Sequence, residues 1–253
     1  MTITLANLKD STTLVPPMTM IYGTHGVGKT SFVASAPSPV FLQLEDGLGM
    51  LKVKTFGLLK TFDQLMEAIT ALYSEEHGYK TVGIDSADHL EPLIWAQACK
   101  DNGWANIEAA GYGKGYVAAL DLWRSLLDGL RALREDRGMA VFIIAHSEIK
   151  RYDAPDSEPY DRYIPKLHKA AAALLQEASD IVLFATYRIQ TVKSEVGFGK
   201  KVTRAVGGGD RVLYTEERPA FLAKQRYNLP PSIPMLWSEF AACVPYFNET
   251  SAT

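Results

Sequence analysis

The sequence predicts one α/β domain with a mostly parallel central sheet covered by helices on both faces. Its 253 residues are 47% hydrophobic and 22% charged, which allows one substantial core near the upper size of a single domain. Short apolar runs alternate along the chain with longer segments of helical periodicity, as is typical of parallel sheets. We assign the core to residues 18–247, an N-terminal extension to residues 1–17 and a flexible tail to residues 248–253.

The strands are predicted from short, nearly continuous apolar runs, the pattern of a sheet buried on both faces. In chain order these runs are residues 18–22, 40–44, 79–84, 140–145 and 180–185. The helices are predicted from apolar positions at helical intervals in residues 29–36, 62–76, 116–136 and 167–178. Thr61 and Gln64 have the spacing of a capping box, which marks the start of the second helix.

The pattern changes after residue 185. Shorter strand-like runs alternate there with glycine turns at Gly197, Gly199 and residues 207–209. This change predicts antiparallel strands added at one edge of the sheet near the C-terminus.

Charge is distributed unevenly along the chain. The net charge of −3 argues against nucleic-acid binding by bulk charge, but residues 188–226 hold nine basic and four acidic side chains, a local +5 that leaves −8 on the remainder. Such a concentration favours an anionic partner. A solvated hairpin surface explains it equally well, and charge alone does not decide between the two.

The sequence contains no sign of a membrane span, a secretory signal or a metal-binding cysteine cluster. No run reaches the roughly 18 apolar residues of a membrane span, and the start MTITLANLKD lacks the features of a signal peptide, so we expect a cytoplasmic protein. Cys99 and Cys243 have no Cys or His neighbour at metal-ligand spacing and are interpreted as core thiols.

The most specific motif is the segment GTHGVGKT at residues 23–30, which matches GxxxxGK[ST] and lies between a predicted strand and a predicted helix. Its backbone N–H groups and the helix N-terminus are suited to phosphate oxygens. Lys29 is predicted to bridge the β and γ phosphates, and Thr30 to bind Mg²⁺. The predicted nucleotide-binding residues are Gly23, Thr24, His25, Gly26, Val27, Gly28, Lys29, Thr30 and Ser31.

Two acidic residues at strand ends complete the predicted chemistry. Asp85 ends an apolar strand in the position of a Walker B carboxylate that holds Mg²⁺, although a helix-capping Asp is the alternative. Glu45 follows the second strand, which we expect to lie next to the P-loop strand, and is the candidate base ahead of Asp46. Consecutive acids on a loop are usually only solvated. ATP is preferred because no NKxD or TKxD sequence follows a strand.

Together these stretches resemble the RecA-type recombinase core, and most closely the short phage ATPases of the Sak-type, RecA-like single-strand annealing group. The resemblance covers roughly residues 18–231. It implies that Glu45 is the catalytic glutamate and that Asp85 is the Walker B residue. It also implies that His146, where RecA itself has glutamine, senses the γ-phosphate at the end of its strand. A histidine that merely caps the strand is the alternative.

The same resemblance implies two DNA-binding loops. The first is residues 111–116, with Lys114. The second is residues 147–166, where cations alternate with aromatic side chains suited to stacking on bases; its candidate DNA contacts are Lys150, Arg151, Tyr152, Tyr160, Arg162 and Tyr163. Acidic residues cancel much of the charge of the second loop, so an ordinary structural loop remains open, as does an ordinary linker for the first.

Lys224 and Arg226 lie in the segment AKQRYNLP, which resembles the RecA segment that reaches the ATP of a neighbouring subunit. The resemblance implies that both cations act in trans on charge developing at the γ-phosphoryl group. A surface pair without function is the alternative.

We therefore expect a phage-type, ATP-dependent recombinase or annealing protein that binds single-stranded DNA. It would work as a homo-oligomer, either a filament or a ring, with ATP and Mg²⁺ between subunits and a single-strand binding protein as a further partner. In a phage setting its place would be the host cytoplasm. A nucleotide-dependent switch or loader acting on a replication protein is the second hypothesis. A small-molecule kinase is disfavoured because no arginine-rich lid is found between helices.

Overall fold

The computed structural model describes residues 4, 14–155, 158–188, 190–195, 201–206 and 208–250. Its strands are β1 Met18–Gly23, β2 Pro39–Gln43, β3 Lys54–Leu58, β4 Thr81–Asp85, β5 Ala140–Tyr152, β6 Tyr160–Pro165, β7 Ile181–Tyr187, β8 Gln190–Glu195, β9 Lys201–Val206, β10 Arg211–Tyr214 and β11 Ser232–Pro234. Its helices are α1 Lys29–Ala34, α2 Phe62–Ser74, α3 Ala87–Asn102, α4 Lys114–Asp136, α5 Lys169–Ala178, α6 Trp237–Cys243 and α7 Pro245–Thr250.

The main sheet follows the order β11-β10-β7-β1-β5-β4-β2-β3, and β6 pairs with the extended end of β5. The strands from β7 to β3 in this order are parallel, whereas β10 and β11 are antiparallel additions at the β7 edge. The predicted α/β fold, with a mostly parallel central sheet and antiparallel strands near the C-terminus, is thus confirmed. The expectation that β2 lies next to β1 is wrong, because β5 and β4 lie between them.

Helices cover both faces of this sheet. Apolar side chains of α2, α3, α4 and α5 form one core cluster with alternate residues of the central strands. A second cluster joins α1, α6 and α7 to the opposite side of the same strands. Successive residues show this alternation, since Ile143 belongs to the first cluster and Phe142 to the second. The near-continuous apolar runs therefore reflect burial on both faces.

Local signals set several helix boundaries. The Thr61 side chain accepts a hydrogen bond from the backbone N–H of Gln64, 3.1 Å away, and so caps α2. The Gln64 side chain reaches back to the N–H of Lys60 rather than to Thr61, so only half of the predicted capping box forms. At the C-terminus α7 continues to Thr250, past the boundary predicted at residue 248.

The sequence pattern missed α3 and β3. Helix α3 contains Pro92 and buries the charged side chain of Glu91, and both features weaken its helical pattern. Strand β3 is an exposed edge strand without an apolar run. The N-terminus of α3 nevertheless begins just after Asp85, so the missed helix lies beside the predicted chemistry.

The segment after His146 is also different from the prediction. Strand β5 does not end at His146 but continues to Tyr152 and turns back through β6, with Ser147 opposite Pro165 and Tyr152 opposite Tyr160. The predicted loop is therefore a β-hairpin, here called the β5–β6 hairpin. The predicted turns at Gly197, Gly199 and Gly207 lie outside the described residues, between or beside the paired strands β8 and β9.

No helix in the described ranges is both long and apolar enough to span a bilayer.

Candidate functional site

The P-loop joins β1 to α1 in a conformation that requires glycine. Gly26 and Gly28 have φ angles of 71° and 98°, the left-handed region that other residues rarely adopt. A Cβ at Gly23 would collide with the carbonyl group of Ala185 on the adjacent strand β7. These constraints explain the spacing of the glycines and produce a tight turn that ends at the N-terminus of α1, a favourable place for an anion.

The Lys29 side chain lies inside this turn. It is 5% exposed, and its Nζ donates hydrogen bonds of 2.9 Å to the carbonyl oxygens of Gly23 and Thr24. Burial lowers the pKa of Lys29 to about 8, although nearby carboxylates, with Asp88 the strongest, act in the opposite direction. The loop therefore holds a partly desolvated cation at the place where the motif predicts a phosphate contact.

Thr30, in the first turn of α1, meets Asp85, the last residue of β4. Thr30 Oγ1 donates a 2.8 Å hydrogen bond to Asp85 Oδ2. Asp85 is 1% exposed, and burial raises its pKa to about 6. Its Oδ1 is buried and has no hydrogen-bond partner among the described residues. Oxygen donors with one unpartnered carboxylate oxygen suit Mg²⁺, so these residues fit the predicted ion.

Glu45 lies just beyond the end of β2 and faces the same site. Its Oε2 is 2.9 Å from His89 Nδ1, and its side chain is 21% exposed, whereas Asp46 is exposed on the loop. The Gln43 side chain donates to the Glu45 carbonyl oxygen at 3.1 Å and fixes the backbone there. The structure thus brings Glu45, rather than Asp46, to Lys29 and Asp85, whose charges interact with it.

His146 is held inside the site by Asp88 of α3. Asp88 accepts hydrogen bonds from the His146 backbone N–H at 3.0 Å and pairs with its Nδ1 at 2.9 Å. Burial alone would raise the pKa of Asp88, but the hydrogen bonds to His146 outweigh it and hold that pKa well below its usual range. The His146 ring stacks on His25 of the P-loop with centroids 3.7 Å apart. His146 therefore contacts the P-loop directly.

Sequence reasoning missed several residues of this site. Asp88 and His89 lie in the first turn of α3 and were not predicted because the helix itself was not predicted. The sequence DSADH, which begins at the last residue of β4, could have indicated polar residues at this strand end. From the end of β7, the Tyr187 hydroxyl donates to the Gly26 carbonyl oxygen at 3.2 Å. Arg211 Nη1 lies 3.5 Å from the Val27 carbonyl oxygen, and no local motif marked it.

The β5–β6 hairpin exposes part of the predicted DNA-binding set. Lys150 and Arg151 are exposed, and Tyr152 is 41% exposed. Tyr152 and Tyr160 lie opposite each other with ring centroids 5.5 Å apart. Ile149 adds an exposed apolar side chain beside them. The outer half of the hairpin therefore combines cations with one exposed aromatic ring, Tyr152, over which the Arg162 guanidinium lies 5.1 Å from the ring centroid.

Two members of that set are placed differently, and the structure corrects the expectation that they face DNA. Arg162 is 6% exposed, pairs with Glu217 and donates to the Phe221 carbonyl oxygen at 3.2 Å. The half-buried ring of Tyr163 packs on Phe184 with centroids 5.1 Å apart. Both side chains hold the base of the hairpin against the core, and Arg162 could bind a ligand only by breaking its contacts.

The first predicted DNA loop is shorter than expected. Helix α4 begins at Lys114, so residues 114–116 are helical. Lys114 is exposed, and Tyr112 is fully exposed with a φ angle of 47°. Tyr116 instead stacks on His168 with centroids 4.4 Å apart. Lys114 and Tyr112 therefore remain accessible, whereas Tyr116 fixes the start of the helix.

Lys224 and Arg226 lie at the opposite end of the sheet from the P-loop of their own chain. Lys224 bridges Val182, near the start of β7, whereas Gly23 pairs with Ala185 farther along that strand. Lys224 Nζ donates to the carbonyl oxygen of Gln176 at 2.5 Å, and Arg226 pairs with Asp180 at 3.0 Å. Neither cation can reach the nucleotide site of its own chain.

Glu91, one turn after Asp88 on α3, forms the next contact away from the site. Both of its carboxylate oxygens accept from the His168 backbone N–H, at 3.0 and 3.1 Å. Burial raises the pKa of Glu91 to about 7. A raised carboxyl pKa means that the folded protein binds the proton more tightly than the unfolded chain does, so the free energy of unfolding falls as pH rises from about 4.5 to 7.

Glu91→Gln should therefore stabilise the protein above pH 7 by about 2 kcal/mol, because the neutral amide keeps an acceptor for His168 without the buried charge. Below pH 4.5 the two proteins should be nearly equal. Urea unfolding at pH 8 and pH 4.5 measures this, with exposed Glu67→Gln on α2 as the control. A loss of stability at pH 8 would show that the ionised carboxylate is favourable there.

The family comparison agrees with the motif. A family model named AAA_24 and described as an AAA domain matches residues 16–227. No curated protein matches the chain. Among solved structures, the crystal structure of the RadB recombinase is similar, with 14% sequence identity, a TM-score of 0.46 and coverage of 89% of this chain and 90% of that one.

Proposed function

The chain belongs to the AAA_24 family of AAA domains, and on this premise we propose that it hydrolyses ATP in response to single-stranded DNA. Nucleotide binding by an AAA domain is the general feature. The DNA stimulus, the annealing or recombination activity and a phage origin of the Sak type are the specific parts of the proposal.

The residues of the site have distinct roles in this proposal. The P-loop N–H groups and Lys29 would hold the phosphates, and Thr30 with Asp85 would hold Mg²⁺, which when bound would supply positive charge next to the phosphates. Glu45 accepts a proton from the attacking water as the general base. His146, which contacts both the P-loop and Asp88, relays the state of the nucleotide.

One observation carries the DNA part of the proposal. Strand β5 continues without a break from His146, in the nucleotide site, to the exposed Lys150, Arg151 and Tyr152. A ligand on the hairpin and a phosphate beside His146 would therefore act on the same strand. Cations for phosphates and aromatic faces for bases are the usual means of binding single strands, and Tyr160 and Lys114 would be further contacts in this proposal.

Assembly is the next part of the proposal. Because Lys224 and Arg226 cannot reach the site of their own chain, they would act on the ATP of a neighbouring protomer in a filament or ring, after release from Gln176 and Asp180. Residues 18–247 would form the ATPase core between short terminal segments. A single-strand binding protein is the further partner we propose.

A nucleotide-dependent switch or loader acting on a replication protein is the second candidate. The inward position of Arg162 favours it, because it leaves fewer cations on the hairpin to offset Glu148, Asp153 and Asp161. In that case the exposed Ile149 would contact a protein rather than DNA.

We expect single-stranded DNA to raise ATP hydrolysis by the wild type, and Lys29→Ala to show no hydrolysis with or without DNA. Lys150→Ala/Arg151→Ala should retain the basal rate and lose the stimulation. Removing two phosphate contacts should also reduce the slope of log affinity against log salt by about 1.4. DNA-binding titrations at several salt concentrations measure that slope.

Lys52→Ala/Lys54→Ala is the matched control, since both lysines are exposed near the far edge of the sheet. It should keep the stimulation. Hydrolysis that ignores DNA, together with no DNA binding at low salt, would refute the DNA proposal and leave the switch or loader.

A further inference from the structure

Three side chains beside the nucleotide site form a second potential ligand cluster. Glu45 follows β2, His89 stands on the first turn of α3, and His146 lies in β5; each offers one ligand atom, and these atoms lie within 4.8 Å of one another. The Glu45 and His89 atoms are already 2.9 Å apart. A tetrahedral zinc site with bonds of about 2.1 Å needs ligand separations of about 3.4 Å, so small side-chain rotations would suffice.

His146 has the orientation of a preorganised metal ligand. Its Nδ1 pairs with Asp88 Oδ2, and its backbone N–H is bonded to the other oxygen of the same carboxylate. Its Nε2 has no hydrogen bond within the described residues, and the side chain is 8% exposed. A carboxylate on one ring nitrogen fixes the tautomer and leaves the other nitrogen as a lone-pair donor, an arrangement typical of histidine metal ligands.

His89 differs from His146, because its polar contacts lie at Nδ1, the nitrogen next to Glu45 that would exchange them for the ion. Its Nδ1 lies 2.8 Å from Ser86 Oγ as well as 2.9 Å from Glu45 Oε2, and its side chain is 45% exposed. The ring is therefore positioned by its neighbours yet open to solvent on one side. This opening gives an ion a route of entry and leaves coordination positions for water.

We propose that Glu45, His89 and His146 bind one divalent transition-metal ion of the zinc class. Two imidazoles and one carboxylate favour such an ion over Mg²⁺, which prefers an all-oxygen site such as that of Thr30 and Asp85. The site needs neither nucleotide nor DNA. A consequence that rests on the proposed function is that the bound ion would occupy Glu45 and suppress hydrolysis.

The test is calorimetric titration of ZnCl₂ into the untagged, nucleotide-free chain in excess MgCl₂. We expect one ion per chain, and Co²⁺ in its place should produce visible absorption bands of a nitrogen and oxygen site. His89→Ala should abolish binding. Asp88→Asn should weaken it roughly 10- to 100-fold, because Asp88 orients a ligand without being one.

His77→Ala is the histidine control, since His77 bonds to the Leu72 carbonyl oxygen away from the cluster, and it should bind as the wild type does. Thermal unfolding in the absence of metal identifies any variant that has not folded. Glu45→Gln preserves the shape of the side chain and should still weaken binding. The proposal fails if the wild type does not bind, or if folded His89→Ala and Glu45→Gln bind with unchanged affinity. Neither result depends on ATPase activity.

Discussion

Glu45→Gln should reduce ATP hydrolysis by about 10²- to 10⁴-fold and leave nucleotide affinity within a few-fold of wild type. Glutamine fills the same space but cannot accept a proton from water at neutral pH. Glu45 stands outside the P-loop and pairs with His89 rather than with Lys29 or Thr30, so phosphate binding should survive its replacement. Steady-state hydrolysis and binding of a fluorescent ATP analogue measure the two quantities separately.

Asp46→Asn is the matched control, because it removes the neighbouring carboxylate, which is exposed on the loop. It should leave hydrolysis unchanged. If Asp46→Asn were as damaging as Glu45→Gln, the assignment of the base would have to move to Asp46. If both variants hydrolysed ATP normally, the water would be oriented by another group, and His146 would be the next residue to test.

The local parts of the site were predictable from the sequence because short-range patterns encode them. The spacing of Gly23, Gly28 and Lys29 follows from the geometry of a single turn, and the position of Asp85 follows from the end of one apolar strand. Parallel strands then place such residues at one edge of the sheet without further information. The strand order was not readable in the same way, which is why β2 was expected beside β1.

The remaining site residues depend on tertiary contacts. Helix α3 is weakly amphipathic because it buries Glu91 as an acceptor for His168, and with the helix unrecognised, the roles of Asp88 and His89 could not be inferred. Arg162 could not be distinguished from Lys150 in sequence, because both are cations of the same predicted loop. In the structure the two residues pair across the hairpin. The contacts of Arg162 with Glu217 near β10 and with the Phe221 carbonyl oxygen assign it to the base of the hairpin.

The same tertiary environment creates an electrostatic cost at Asp85. The folded-state pKa of about 6 lies above the ordinary value of 3.8, so the folded protein holds this proton more tightly than the unfolded chain. The free energy of unfolding therefore falls as pH rises from about 3.8 to 6. Above pH 6 it stays at this lowered value as far as Asp85 is concerned. An unpartnered buried oxygen is consistent with a site whose stability is lowered until a cation arrives.

Asp85→Asn should consequently stabilise the nucleotide-free protein at pH 8 by about 2 kcal/mol, while abolishing the Mg²⁺-dependent part of its stabilisation by ATP. Asparagine can still accept from Thr30 but carries no charge. Urea unfolding at pH 8 and pH 4, without nucleotide, should show a gain at pH 8 that largely disappears at pH 4. Thermal unfolding with ATP and either MgCl₂ or EDTA measures the second effect. A variant that was less stable at pH 8, or one that kept the full Mg²⁺ response, would show that Asp85 supports the fold rather than the ion.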